Sequence, residues 1–168
     1  MAARDGVGRG GSDRLGDVDP PFVIEGLLAV AFGGGAVPYR ISMTFRSDLD
    51  RVQFHAAAMR TCQLACMAAD MVRGRDVPPA MERVVSTSCL SRLRTMSMLM
   101  DIRLNSDAEL RSRMCKPPVV PRLVNGMLVS PTRFDMSVCL GIGSQGYCSS
   151  VVLSLMGSRW VCVLADFG

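Results

Sequence analysis

The C-terminal segment, residues 134–168, has the largest influence on the predicted fold. Its middle part is compatible with either a strand or a helix, and the two choices lead to different folds. Residues 134–140 are apolar and strand-like, and three glycines follow them: Gly141, Gly143 and Gly146. Residues 148–156 are rich in serine and valine, a composition that favours strands. A Gly-Ser pair at 157–158 then suits a two-residue hairpin turn that prefers glycine at its first position. The pattern predicts an antiparallel hairpin, with the three glycines in a flexible loop before it.

The same residues permit a second interpretation. The glycines have the spacing Gly-x-Gly-x-x-Gly, and Asp166 follows the third of them by 20 residues. With a helix over residues 144–156, this segment, about a fifth of the chain, resembles the opening of a dinucleotide-binding family's fold. The resemblance implies a nucleotide-binding enzyme fragment that uses Gly141, Gly143 and Gly146 for the pyrophosphate and Asp166 for the ribose. The hairpin is the favoured prediction, because the upstream segments do not alternate strand with helix.

Upstream, the apolar and polar patterns predict strands first and helices second. Glycine, serine and proline mark the boundaries of these elements. The predicted elements are a hairpin from residues 22–32 and 39–46 joined by glycines 33–35, a helix from a Ser47 cap to about Val72, a second helix from Pro78-Pro79 to Met100 or Leu104, a solvated turn at Asp107 and Glu109, an extended passage over 115–123, and strand-like segments from 124 onward.

This order of elements predicts a single α+β domain over residues 21–168. Its sheet is expected to be antiparallel or mixed, built from the N-terminal hairpin and the C-terminal strands. Two long central helices are expected to pack on one face of that sheet. Residues 1–20 contain glycine and arginine and have little apolar surface to bury, so we expect a disordered tail there.

Charge and cysteine usage favour an intracellular protein without indicating one class of partner. Lys116 is the single lysine among 19 basic residues, and the net charge of +4 is too small to require a nucleic acid. Weak nucleic-acid binding through the arginines of residues 1–20 stays an alternative.

The 7 cysteines are odd in number and no secretory signal is recognisable, so we expect free thiols in a reducing compartment, the cytoplasm or the nucleus. The chain has no apolar run long enough to predict a membrane span.

Few residues are candidates for catalysis or metal binding. His55 is the single histidine, and it lies inside the first predicted helix instead of beside a nucleophile motif. Only Cys62 and Cys66 are close enough on that helix to share a metal ion, and Cys-x-x-Cys pairs are absent. Gly146 is followed by Tyr147 instead of the lysine of a P-loop. We therefore predict no catalytic residue, no metal and no cofactor.

Two features of the helices indicate packing or binding. Ala58, Cys62, Ala65 and Ala69 form a narrow stripe of small residues, which suits either a core helix or a face shared with a partner subunit. Arg92 lies within the apolar arc of the second helix, where a guanidinium needs an intramolecular partner, a snorkelling position or a binding interface. These five residues are the candidate interface. They support the hypothesis of a non-enzymatic protein–protein interaction or assembly module that acts in an oligomer or complex.

Overall fold

A computed structural model describes residues 21–30, 35–76 and 78–168 of the chain. The tail predicted over residues 1–20 lies outside the described residues, as do Gly33 and Gly34 of the first predicted connection. The described residues form a six-stranded sheet and four helices. The strands are β1 (Phe22–Ala29), β2 (Ala36–Met43), β3 (Val119–Ser130), β4 (Arg133–Ile142), β5 (Gln145–Met156) and β6 (Arg159–Phe167). The helices are α1 (Arg51–Val72), α2 (Pro79–Val84), α3 (Thr87–Ser106) and α4 (Ala108–Cys115).

The sheet keeps the order of the chain from β1 to β6. Neighbouring strands are antiparallel throughout, except that β2 and β3 are parallel. Parallel neighbours need a long crossover connection, and the four helices supply it between these two strands. The predicted α+β fold with a mixed sheet is confirmed.

The core lies between the helices and one face of the sheet. In β2 and β4 every second side chain is buried, as expected for strands with one covered face. Helix α1 packs against β1 and against β3 to β6, while α3 packs against α1 and β6. Phe134 of β4 lies at the centre of the core, with its ring centroid 5.8 Å from that of Phe54 and 4.9 Å from that of Trp160. Helix α1, β4 and β6 are thus joined through one aromatic cluster.

Helix α1 begins slightly later than predicted. Its cap is Asp50, not Ser47, because Asp50 and Gln53 form a reciprocal capping box. The backbone amide of Gln53 donates to the carboxylate of Asp50 at 2.8 Å, and the backbone amide of Asp50 donates to the side-chain oxygen of Gln53 at 2.9 Å. The helix ends at Val72, as predicted.

The second predicted helix is interrupted after α2. Val85 forms a β-bridge with Cys162, and the Ser86 amide donates to the carbonyl of Cys162 at 2.8 Å. Ser86 then caps α3 by accepting a hydrogen bond from the Cys89 amide at 3.3 Å. The two long helices predicted are α1 and α3, but the second begins at Thr87 instead of Pro78-Pro79. The break before it was not predicted, because these hydrogen bonds to a distant strand have no signature in the local periodicity.

The turn predicted at Asp107 and Glu109 is also wrong, because Asp107 is the N-cap of α4 and Glu109 lies in its first turn. Asp107 caps the helix by accepting from the Leu110 amide at 2.8 Å. Glu109 lies in the first turn, where the helix dipole favours a negative charge.

The C-terminal hairpin is confirmed, and a second hairpin precedes it. Strand β5 pairs antiparallel with both β4 and β6. Gly143 and Gly157 begin the two tight turns with φ angles of 58° and 62°, a conformation that side chains disfavour. The predicted glycine loop is shorter than expected, since Gly141 and Gly146 are paired with each other inside the β4–β5 ladder. Residues 145–156 form a strand, so this segment does not contain the crossover helix that the resemblance to a dinucleotide-binding fold requires.

Candidate functional site

The small-residue stripe of α1 lies in the core of the chain. Ala58, Cys62, Ala65 and Ala69 are all buried, with at most 2% of any of them exposed. This placement corresponds to the core-helix interpretation of the stripe. An interface available on the folded single chain must therefore use other residues.

The buried guanidinium belongs to Arg73, not to Arg92. Arg92 is exposed on α3, where it lines a shallow depression with Ser88, Ser91 and Thr95. Its charge is accessible to water. Of the three alternatives for this residue, the exposed position does not require an intramolecular partner and leaves a snorkelling side chain or a binding interface. The apolar arc of α3 is covered only in part, which local periodicity does not reveal.

The side chain of Arg73 connects the C-terminal end of α1 to the C-terminal end of α4 through hydrogen bonds. Its side chain is fully buried and donates to the carbonyls of Met114 at 2.6 Å and Pro117 at 2.8 Å. It also forms an ion pair with the carboxylate of Asp70, one helical turn earlier. In the sequence, the Asp70–Arg73 spacing is that of an ordinary surface ion pair on a helix. Sequence reasoning missed this residue because its burial depends on the return of the chain through α4.

The side chains suited to chemistry are dispersed over the fold. His55 is exposed, and its ring meets that of Tyr39 edge-on with 5.6 Å between centroids. The hydrogen bond between Cys62 and Cys66, together with burial, raises the pKa of the Cys66 thiol. In the described ranges, no group of three or more metal-ligating side chains comes together.

A second pair of thiols connects α3 to β6. The hydrogen bond with Cys162 lowers the pKa of Cys89, and the charge of Arg92 adds to this shift. The same hydrogen bond, together with burial, raises the pKa of Cys162. Both side chains are buried in the core, out of reach of a reagent in solution. The pair therefore contributes to packing, with Cys89 placed beside the Ser86 cap of α3.

The sheet face opposite the helices is rich in apolar side chains. We refer to this surface as the outer face. Its most exposed large apolar side chains are between 37% and 63% accessible, and they are Val23, Leu27, Met127, Val129 and Met156. Sheet faces that contact water normally carry polar side chains. Large exposed apolar surface on a sheet face indicates an interaction site.

Strand register arranges the outer face in rows that run across the sheet. One row is polar on all six strands and consists of Glu25, Arg40, Asn125, Ser137, Ser150 and Asp166. The row on one side of it is mainly apolar and consists of Val23, Ser42, Met127, Asp135, Val152 and Leu164. On its other side a further apolar row includes Leu123, Cys139 and Cys148. The outer face is thus a polar row bordered by two apolar rows.

The charges of the outer face are compensated to different degrees. Arg40 lies 3.5 Å from the carboxylate of Glu25, with both side chains well exposed. Arg133 donates two hydrogen bonds to Asp135, at 2.6 and 3.1 Å. Asp166, the residue suggested as a ribose ligand, accepts a hydrogen bond from the Phe167 amide at 3.0 Å. Within the described part of the chain its carboxylate has no ion-pair partner.

A smaller apolar patch lies on α3. Met98, Leu99 and Ile102 are between 64% and 69% exposed. Their spacing places them on one side of the helix. With three large side chains, this patch offers less surface than the outer face.

Comparisons with protein-family models, with curated protein sequences and with solved structures give no match to this chain. Among the helices of the described residues, none has the length and hydrophobicity needed to cross a lipid bilayer.

Proposed function

We propose that this chain is a non-enzymatic intracellular assembly module that associates with a second copy of itself through the outer face of its sheet. The supporting observation is the row pattern, in which one polar row separates two apolar rows. Left uncovered, these rows keep large apolar side chains in water. A second sheet packed face to face over β2 to β6 would remove Met127, Val129 and Met156 from water and complete a sandwich.

The row pattern favours one symmetry for the pair. A two-fold axis between the sheets and parallel to the strands places every row opposite its own copy, with the strand order reversed. Apolar rows then meet apolar rows. With the axis over β4, Arg40 of β2 faces Asp166 of β6 in the second copy, and the contact occurs twice. An axis perpendicular to the strands would instead place Arg40 opposite Arg40 and Asp166 opposite Asp166, which like-charge repulsion disfavours.

The centre of this arrangement contains no uncompensated charge. Asp135 of β4 would meet its own copy near the axis, but Arg133 already neutralises it within each chain. Ser137, the polar-row residue of β4, can both donate to and accept from its copy. Aligned sheets cross at about 30°, which displaces β2 from β6 by about 5 Å at two strand spacings from the axis. An arginine side chain spans that offset.

The area of the outer face is sufficient for a stable dimer. With the axis over β4, strands β2 to β6 overlap, and the shortest of them has 8 residues. Five strands about 4.8 Å apart and about 27 Å long cover roughly 650 Å² on each copy. The pair would bury about 1,300 Å² in total, within the range of specific interfaces.

Sedimentation equilibrium of the full chain between about 1 and 100 µM tests the proposal, because interfaces of this size usually give dissociation constants in or below that range. We expect a dimer. Met127→Glu places a charge in an apolar row without touching the core, and we expect a folded monomer from it. Asp166→Arg should weaken the dimer about tenfold, since two exposed attractions become repulsions. Combining it with Arg40→Asp should restore most of the affinity.

Arg103→Glu, a charge reversal on the exposed side of α3, is the matched control and should leave the dimer unchanged. A wild-type chain that stays monomeric at about 100 µM, well above the expected dissociation constant, would refute self-association. A dimer that survives Met127→Glu but dissociates with Leu99→Glu would move the interface to the α3 patch and overturn the sheet proposal.

A further inference from the structure

The outer face contains a pair of cysteines that neither the fold nor the proposed assembly explains. Cys139 of β4 and Cys148 of β5 are directly opposite each other in the antiparallel ladder. Both are free thiols, and both are exposed. Their side chains project from the same face, because partners in a ladder share one side of the sheet.

The hydrogen bonds of Cys148 fix the type of this pair. Its amide donates to the carbonyl of Gly168 at 3.0 Å, and its carbonyl accepts from the Gly168 amide at 3.2 Å. Both backbone groups therefore point away from β4, and Cys139 and Cys148 form a non-hydrogen-bonded pair. In such pairs the Cα atoms are about 4.5 Å apart. That separation lies at the short end of the range that a disulfide tolerates, about 4.4–6.8 Å.

Exposure distinguishes this pair from the other two thiol pairs of the fold. Cys89 and Cys162 are both in the core, and Cys62 is buried beside Cys66. A reagent in solution cannot reach both members of either pair while the chain is folded. At Cys139 and Cys148 it can reach both.

We propose that Cys139 and Cys148 form a redox-responsive dithiol that closes to a disulfide between β4 and β5. The oxidant is a low-molecular-weight disulfide such as glutathione disulfide. One cysteine, as its thiolate, attacks a glutathione sulfur, which forms a mixed disulfide and releases one glutathione thiolate. The other thiolate attacks the protein sulfur of the mixed disulfide and releases the second glutathione. The two protons lost by the cysteines are taken up by the two released glutathiones, and two electrons pass from the dithiol to the oxidant.

The geometry also makes the bond easy to reduce again. Directly opposite side chains have Cβ atoms about 4.5–5.5 Å apart, and a non-hydrogen-bonded pair such as this one lies at the close end of that range. A disulfide brings them to a mean of about 3.8 Å, so closure strains the two strands. Strained, exposed disulfides have the more oxidising potentials typical of labile and regulatory bonds. The dithiol stays open in a reducing compartment and closes when the pool of small thiols becomes oxidised.

This inference concerns one chain and does not depend on self-association. If the outer face does form the dimer, both thiols lie in the covered surface, and oxidation is slower in the dimer than in the monomer. The test therefore uses the wild-type chain and the Met127→Glu variant in parallel. Closure in both supports the dithiol whatever the oligomeric state is.

Mass spectrometry after incubation in glutathione redox buffers is the direct test. The folded chain is quenched with acid, unfolded, alkylated and digested with trypsin. No lysine or arginine lies between residues 134 and 158, so both cysteines fall in one tryptic peptide. We expect this peptide to lose two hydrogens and to resist alkylation, while the other five cysteines stay alkylatable. The bridged form should exceed the singly glutathionylated form at least about tenfold, because the second step joins thiols that already face each other.

A matched control moves one thiol along the strand and keeps the number of cysteines. In Cys148→Ser combined with Ser150→Cys, the two thiols are diagonal neighbours about 7–8 Å apart, outside the range of a disulfide. We expect this variant, and Cys148→Ser alone, to collect glutathione adducts without a bridge. Adducts in place of a bridge in both the wild-type and Met127→Glu chains would overturn the proposal. Equal bridging in the wild-type and diagonal chains would also overturn it.

Discussion

Arg73 offers the sharpest test of how the fold is held together. We predict that Arg73→Met destabilises the chain strongly, whereas Arg75→Met, two residues later, has almost no effect. Both arginines approach the same carboxylate, that of Asp70. They differ in burial, because the Arg73 side chain is fully buried and the Arg75 side chain is 49% exposed.

The magnitude follows from the groups that lose their donors. The carbonyl of Met114 is buried, and without a donor it costs about 1–3 kcal/mol. The carbonyl of Pro117 is partly accessible, so water replaces most of its hydrogen bond. The Asp70 side chain is one-third exposed, and Arg75 stays 3.7 Å from its carboxylate. The negative charge of Asp70 therefore keeps both water and a positive partner. We expect a net loss of about 1–3 kcal/mol for Arg73→Met and less than about 0.5 kcal/mol for Arg75→Met.

Urea unfolding followed by the fluorescence of Trp160, the single tryptophan, measures both variants. Placing each substitution in the Met127→Glu chain prevents association from adding to the apparent stability. In thermal unfolding, Arg73→Met should lower the Tm by roughly 2–12 °C at this chain length. If the two variants differ by less than about 0.5 kcal/mol, the buried contacts of Arg73 do not stabilise the fold and the reasoning fails.

Two further predictions concern the turn and the core. Gly143→Ala should cost about 1–2 kcal/mol, because its φ of 58° disfavours a side chain and a Cβ would lie 3.3 Å from Pro117. Gly146→Ala is the control, with open space and no positive φ, and should change the urea midpoint little. Phe134→Ala should destabilise by about 3–5 kcal/mol, the usual cost of removing a buried aromatic ring. It should also shift the emission of Trp160 in the folded state, and unchanged emission would contradict the observed ring contact.

Much of the fold was predictable because it rests on local chemistry. The hairpin turn at Gly157 requires a glycine, and the serine and valine content of β5 favours a strand. The strand–helix–strand order was therefore sufficient for the α+β class. The break between α2 and α3 was not predictable, because Val85 and Ser86 leave the helix to bond with Cys162, more than seventy residues away. Asp107, the N-cap of α4, is a capping signal in the sequence, but an aspartate at that position is equally typical of a turn.

The candidate site was predictable only in part. Alternation within a strand indicates which residues share a face, yet it does not show which residues of different strands lie side by side. The polar row from Glu25 to Asp166 and the Cys139–Cys148 pair both depend on strand register. The five residues chosen as a candidate interface came from helix patterns, and four of them lie in the core. Helix periodicity identifies a small-residue stripe without showing whether a sheet of the same chain covers it.

The sequence by itself determined the class of the fold and the chemistry available to it, because turn residues, caps and alternation act over a few neighbouring residues. It also contained a glycine motif that is compatible with two structures, an antiparallel hairpin and the opening of a dinucleotide-binding fold. Tertiary structure decided between them by pairing β5 with strands on both sides. It also decided which arginine is buried and which thiols meet, because burial and strand register depend on contacts between residues far apart in the chain.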